Sequence, residues 1–263
     1  MPLNPSAPLR DTTVSRLRAA GCVFAEDEAE LLFSAADDPA GLDALVDRRA
    51  SGLPLEHVVG WAEFGGLRIA VDPGVFVPRR RTEFLVERAV ALAPAGALCV
   101  DLCCGSGAAG AVLLAAVPGA RVHAADIEPA AVACARRNIE PRGGLVHGGD
   151  LFAPLPGELR GRVEMLIANV PYVPTDEVGL LPPEAREHEP LVALDGGPDG
   201  LGVLRRVAAE APEWLAPGGR LLFETSERQI PAAAGAVAAH GLAPEVLTCE
   251  ERYATVLVAT RTG

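Results

Sequence analysis

Val100-Asp101-Leu102-Cys103-Cys104-Gly105-Ser106-Gly107-Ala108-Ala109-Gly110 is the stretch on which the reading of the whole chain turns. An apolar run ends in an acid, passes through a turn of small residues and opens an alanine-rich helix. Gly105 and Gly107 permit backbone conformations and close approaches that a Cβ forbids, and the helix start presents free N–H groups. Alone, such a turn suits a nucleotide, a nicotinamide cofactor or mere tight packing. The sequence downstream resolves the fold class. β-rich runs at 98–102, 121–125, 144–147, 163–168 and 220–225 alternate with helical segments, which predicts a parallel sheet covered on both faces. Two further strands, 245–248 and 255–259, are joined by a link too short for a crossover helix and therefore pair as an antiparallel hairpin. The expected fold is α/β: seven strands, Rossmann-like, mostly parallel with one reversed strand.

The acids closing the strands indicate a ligand. The second strand ends at Asp126, about twenty residues beyond the glycine turn, where a carboxylate accepts both ribose hydroxyls of an adenosine. The third ends in Gly149-Asp150-Leu151-Phe152. Asp150 there is placed to accept from an exocyclic adenine amine, with Leu151 or Phe152 against the ring. Any one of Asp101, Asp126 and Asp150 could equally be a helix cap or a solvated turn residue. Together, without a lysine-bearing phosphate loop, they suit adenosine without polyphosphate, and S-adenosyl-L-methionine is that ligand.

The fourth strand ends in Asn169-Val170-Pro171-Tyr172, at the switch point where ligands bind in open α/β sheets. The Asn169 side-chain oxygen and the Val170 carbonyl form a pair of acceptors for one NH₂ group, with Pro171 stiffening the turn and Tyr172 offering a flat wall. An amide or aromatic amine held so has a delocalised lone pair. Alignment, and hydrogen bonds that strengthen as charge develops on nitrogen, are then the catalytic resource.

Composition narrows the partners. The 263 residues carry a formal charge of −12, and all 23 basic residues are Arg. So acidic a chain is a poor fit to nucleic acid or an anionic membrane. No apolar run approaches a membrane span and no signal-peptide pattern opens the chain, so a cytoplasmic protein is expected. Six cysteines without a C-x-x-C pair and five scattered histidines suggest buried, reduced thiols and no metal. His188 with its acidic neighbours reads as a surface charge cluster. Trp61 and Trp214 read as packing residues.

Upstream of the glycine turn, 12–49 reads as short amphipathic helices, with Val14, Leu17 and Ala20, then Ala29, Leu32 and Phe33, then Leu42, Leu45 and Val46 at helical spacing. From Pro54 the pattern becomes strand-like. A hairpin is expected to turn at Gly65-Gly66, and a helix from Thr82 to bury Leu85, Val86, Ala89 and Val90. The expected organisation is a helical segment at 1–53, a β-hairpin linker at 54–82 and a catalytic domain at 83–263.

Asn169-Val170-Pro171-Tyr172 resembles the N-P-P-Y signature of amino-group methyltransferases. The whole chain resembles the HemK/PrmC-type glutamine N5-methyltransferases of peptide chain release factors. The likeness includes Pro54–Gly60, Phe64-Gly65-Gly66, Val77-Pro78-Arg79 with Thr82-Glu83, the Asp101 turn, and His188–Gly197 with Asp199-Gly200-Leu201. The resemblance implies that Cys103, Cys104, Gly105, Ser106 and Gly107 wrap the methionine part of the cofactor, Asp126 its ribose, and Asp150 and Leu151 its adenine. It implies that Asn169 and Val170 grip a glutamine amide, completed by Pro171 and Tyr172, and that the helical segment recognises the substrate protein.

The chain also departs from that pattern. Cys103 replaces a glycine, Val170 a proline, Leu151 an aromatic residue, and Ser226 a glycine; the run Arg79-Arg80-Arg81 replaces a usual proline and acid before Thr82-Glu83. Arg80 and Arg81 read as solvated, with an acidic partner as the alternative. A diverged relative is expected, and other readings stay open. The same chemistry could act on a small molecule or peptide amide. A nucleic-acid adenine N6-methyltransferase is disfavoured by the charge, and a non-catalytic cofactor-binding protein by the intact Asn169 motif.

Overall fold

The structure, a computed structural model, describes residues 5–262. Three helices open it, α1 (Ala7–Ala19), α2 (Ala25–Ala35) and α3 (Pro39–Ala50), and a short α4 (Leu55–Val59) follows. Leu17, Ala29, Leu32, Phe33, Leu42 and Val46 pack into one apolar cluster. Asp38 caps α3 by accepting from the Gly41 N–H at 2.7 Å, with Pro39 in the first turn. Two expectations change. Ala20 lies past the end of α1 and is exposed, while Thr13 is buried instead. The stretch after Pro54 is helical rather than strand-like, although Val58 and Val59 favour strands. Val58 is anchored in the helical cluster, and Gly60, in the left-handed region (φ 81°), ends the turn.

The hairpin forms as read: β1 (Trp61–Phe64) and β2 (Leu67–Ala70) pair antiparallel around Gly65-Gly66, both at positive φ. This is the backbone a two-residue turn requires. Phe64 and Ile69 bury against α5 (Thr82–Leu92) and α6 (Ala108–Ala116). Leu85, Val86 and Ala89 are buried as expected, and Val90 is half-buried.

The remaining elements are β3 (Leu98–Leu102), β4 (Arg121–Asp126), α7 (Pro129–Ile139), β5 (Leu145–Gly148), β6 (Val163–Ala168), α8 (Pro183–His188), α9 (Gly202–Trp214), β7 (Leu215–Glu224), α10 (Ile230–Ala238), β8 (Leu242–Cys249) and β9 (Ala254–Arg261). The strands form one sheet in the order β5-β4-β3-β6-β7-β9-β8. All neighbours are parallel except β9, which is antiparallel to both β7 and β8. The reversed strand, last in the chain, is thus inserted between β7 and β8 and does not form the sheet edge. Strand β7 begins at Leu215 rather than near 220, because Leu215 pairs with Val163 across an irregularity in register. Strand alternation splits the core: Met165 and Ile167 face the hairpin side, Leu166 and Ala168 the side of Trp214 and Phe223. Strand β3 has β4 on one side and β6 on the other, so its carboxyl end is the switch point at which a crevice opens. Among the described residues, no helix is long and apolar enough to cross a membrane.

Candidate active site

A cleft with a cavity volume of about 400 Å³ opens at the carboxyl ends of β3, β4 and β6. Asp101, Cys103, Cys104, Gly105, Ser106, Asp126, Asp150, Leu151, Asn169, Val170, Pro171 and Tyr172 all line it. Gly107 does not. A Cβ there would lie 2.8 Å from Ile139 Cδ1 and 3.1 Å from Ala135, and the backbone is left-handed (φ 77°), so glycine here lets α6 seat against α7.

The turn after β3 is held from β4. The Gly105 N–H donates to Asp126 Oδ2 at 2.8 Å and the Glu128 N–H to Oδ1 at 3.0 Å. One carboxylate thereby clamps the glycine turn and the start of α7, and each oxygen keeps a lone pair for a further donor. Burial holds the Asp126 carboxyl above the usual range. Cys103 occupies the left-handed region (φ 55°), so its Cβ is tolerated at a strained position. That conformation costs a non-glycine residue about 1–2 kcal/mol, while glycine makes the unfolded chain more flexible by about 0.5–1 kcal/mol. Cys103→Gly is expected to be neutral or to stabilise by up to about 1 kcal/mol in denaturant melts, and Cys103→Val to destabilise.

Asp101 is buried, with its Oδ2 accepting from the Gly110 N–H at 2.9 Å. Burial pushes its carboxyl up to about 7. The folded chain then holds a proton that the unfolded chain releases, so this group's stability contribution is present below about pH 4 and lost as pH rises through about 7. Asp101→Asn keeps an acceptor for Gly110 without the charge. The variant is expected to melt above wild type at pH 8, with the difference vanishing towards pH 4. Equal displacement at both pH values contradicts this assignment.

Asp150 is half-exposed and its Oδ2 pairs with Arg206 at 2.5 Å, which leaves Oδ1 for a ligand. Leu151, at φ 47° and nearly buried, faces the cleft. Phe152 does not: it stacks on Trp214 in the core, ring centroids 5.3 Å apart. Leu151 is therefore the one of the pair that can cover a ring.

Among the described residues no hydrogen bond engages the Asn169 side chain. The loop that follows is fixed from behind. A parallel bridge joins Val173 to Asp195, and Gln229 Nε2 donates to the Tyr172 carbonyl at 2.9 Å. A Cβ on Gly196 would lie 2.6 Å from the Pro171 carbonyl oxygen, and one on Gly200 2.2 Å from that of Tyr172. Gly196 and Gly200 are thus explained by backbone laid directly on the Asn169 loop, while Gly197 needs its left-handed φ of 92°.

Three arrangements escaped the sequence reading. Arg81 is not simply solvated: its Nε donates to Glu224 Oε1 at 2.7 Å and its Nη2 to the Tyr172 hydroxyl at 2.6 Å. Glu189 is no surface charge but is buried, accepting from the Val77 N–H at 3.1 Å and from Arg79 at 2.5 Å. Arg49, buried against Glu28, also reaches Glu184 on α8 at 2.8 Å and so ties the helical cluster to the cleft rim. No group of three or more metal-ligating side chains is gathered among the described residues.

A glycine-turn cleft on a sheet of this order, with the half-buried carboxamide of Asn169 lining it at the switch point, is the arrangement of a methyltransferase. The sequence model of the methyltransferase small domain family matches residues 66–179. A solved methyltransferase from Pyrococcus furiosus superimposes with a TM-score of 0.57 at 16% identity, covering 75% of this chain and 90% of that one, which shows the shared fold. A release factor glutamine methyltransferase of Mycolicibacterium smegmatis is 44% identical over 215 residues, 78% of this chain and 76% of that protein. The chain belongs to the release factor glutamine methyltransferase family. It is also 40% identical over 194 residues to a 4-amino-L-phenylalanine/4-methylamino-L-phenylalanine methyltransferase of Streptomyces pristinaespiralis, covering 70% of this chain and 65% of that one.

Proposed function

We propose that the chain transfers a methyl group from S-adenosyl-L-methionine to the side-chain amide nitrogen of a glutamine in a peptide chain release factor. The observation that carries this reading is that Asp126 and Asn169, at the tips of strands flanking β3, open onto one cleft. The residues fit the cofactor. A Cβ built on Gly105 meets nothing closer than 4.0 Å, so the turn leaves room at its surface, and both Asp126 oxygens retain acceptor capacity.

When bound, S-adenosyl-L-methionine supplies an electrophilic methyl group on a sulfonium centre. In the proposed arrangement Asp126 accepts the ribose hydroxyls, Asp150 Oδ1 accepts from the adenine amine, and Leu151 covers the ring. Asn169 Oδ1 and the Val170 carbonyl accept hydrogen bonds from the two amide N–H groups of the glutamine, whose nitrogen gives up one of these protons to solvent once it is methylated. These bonds orient the nitrogen and oppose rotation about the C–N bond. Both hydrogen bonds strengthen as positive charge develops on that nitrogen, so they stabilise the transition state more than the ground state. Valine at 170 gives up the fixed φ of proline but keeps the carbonyl that the role requires.

In this reading 1–53 recognises the protein substrate, 54–82 links it to the catalytic domain at 83–263, and the enzyme works in the cytoplasm. The Arg49–Glu184 pair supports it by bringing the helical cluster to the cleft rim. The likeness to the Streptomyces pristinaespiralis enzyme favours one second reading, an aromatic amine on a small amino acid, since such an NH₂ offers the same two donors. Incubation with isotopically labelled cofactor and, in parallel, release factor or 4-amino-L-phenylalanine separates them. Tandem mass spectrometry is expected to find the label on a glutamine side chain of the release factor. Label confined to the amino acid supports the second reading; label confined to nucleic acid contradicts both.

A further inference from the structure

Of the run Arg79-Arg80-Arg81, where the chain departs from the pattern it resembles, Arg79 and Arg81 line the cleft, and Arg81 is the one that reaches Tyr172 at the back of the acceptor pocket. Glu224, the last residue of β7, is only 4% exposed and accepts three hydrogen bonds. They come from Arg81 Nε at 2.7 Å, the Tyr172 hydroxyl at 2.7 Å and Thr82 Oγ1 at 2.8 Å. Arg81 Nη2 donates to the same hydroxyl at 2.6 Å, which closes a ring of Arg81, Glu224 and Tyr172. The Tyr172 carbonyl is held separately by Gln229. Both ends of this residue are therefore pinned, its phenol by one network and its backbone by another. The phenol proton is directed to Glu224, so Tyr172 offers the cleft a ring face and no acid.

The geometry points to Arg81 as a positioning residue for the methyl acceptor: its guanidinium fork, joined to Glu224, locks the Tyr172 ring and so sets the seat beside Asn169. This rests on the assignment of that pocket to the acceptor. A planar fork is required, because two nitrogens in fixed relation must meet a carboxylate and a hydroxyl at once; an ammonium on a flexible stem meets one or the other. The cost of losing it falls on alignment, where a displacement of about 1 Å can cost roughly 10²-fold in rate.

Removing Arg81 alone would strand a buried carboxylate, so the test combines Arg81→Met with Glu224→Gln, which keeps an acceptor for Thr82 without the charge. Arg81→Lys serves as the conservative variant. With release factor as acceptor, kcat is expected to fall roughly tenfold or more in both, while calorimetric affinity for S-adenosyl-L-methionine stays within about twofold. Adding Tyr172→Phe to the double variant is expected to cost no more than Tyr172→Phe alone, because Arg81 acts through that ring. A second readout needs no acceptor. The chain has two tyrosines, Tyr172 and the exposed Tyr253, so protein labelled with meta-fluorotyrosine gives two fluorine resonances. That of Tyr172 is expected to be shifted away from the solvent-like one in wild type and to collapse towards it in the double variant. If wild type leaves the release factor unlabelled, the proposed function fails and the fluorine spectra alone decide the inference. An unchanged Tyr172 resonance, an undiminished rate on a methylated acceptor, or losses that multiply in the combined variant overturns it.

Discussion

Asn169→Ala is expected to lower kcat for methyl transfer by at least ~10²-fold, the size of losing one oriented donor or acceptor in a reaction site, with cofactor affinity retained. The carboxamide of Asn169 lines the cleft at the end of β6 and is committed to no hydrogen bond among the described residues. Truncation therefore leaves the supporting shell in place. The Gln229 bond to the Tyr172 carbonyl and the bridge from Val173 to Asp195 are untouched. What disappears is an acceptor aimed at a nitrogen that gains positive charge only during the reaction. The loss belongs in kcat more than in KM for the acceptor. Asn169→Asp offers a stricter version of the test, since it keeps the oxygen but adds a charge to an apolar crevice. It is expected to recover part of the lost rate only if hydrogen-bond acceptance, and not side-chain volume, is what Asn169 contributes. Wild-type turnover in Asn169→Ala contradicts the role assigned to it.

The second large effect is expected at the other end of the cleft. Asp126→Ala is expected to weaken S-adenosyl-L-methionine binding by roughly 10²-fold or more, measured by calorimetry. Hydrogen bonds to a charged group are worth about 1.5–3 kcal/mol each, and the ribose offers two hydroxyls. A further loss is built into the fold: the same carboxylate holds the Gly105 and Glu128 N–H groups, so the turn loses its clamp together with the ligand's partner. Circular dichroism is expected to remain that of wild type, because the β3–β4 register and the packing of α6 on α7 do not pass through Asp126. Asp126→Asn, which keeps one acceptor, is expected to lie between the two. Full-strength cofactor binding by Asp126→Ala contradicts the ribose assignment.

The parts of this architecture that were legible beforehand are those encoded within a few residues. The acid, small turn and helix around Asp101–Gly110 state a strand-to-helix junction locally, and Gly65-Gly66 states its own turn. The alternation of strands and helices leaves few topologies once connections are short and right-handed. Long-range pairing was not legible. Arg81 and Glu224 are 143 positions apart in sequence, and a run of three arginines looks equally like a solvated face. Glu189 likewise meets Val77 across 112 positions, and only the fold shows that it is buried. The glycines at 196 and 200 carried a different message from the one their composition suggests. They mark backbone pressed on backbone behind Tyr172, not a flexible loop. Gly107, which the resemblance places against the cofactor, also has a packing reason that the sequence does not show, since a Cβ there would meet Ile139 and Ala135. The helical turn at α4 failed for the opposite reason: Val58-Val59 has strand propensity that tertiary burial overrides.

The central claim is that a methyl donor and a carboxamide nitrogen meet in one crevice between the tips of β4 and β6. Calorimetric titration with a bisubstrate compound, in which the adenosine portion of the cofactor is tethered through a short linker to the amide nitrogen of a glutamine peptide, tests it most directly. Joining two ligands that occupy adjacent sites makes the second contact intramolecular, a gain on the order of 10²-fold or more over the tighter half. The account predicts that gain in wild type and its loss in Asn169→Ala. A bisubstrate compound that binds no more tightly than its adenosine half alone would contradict it.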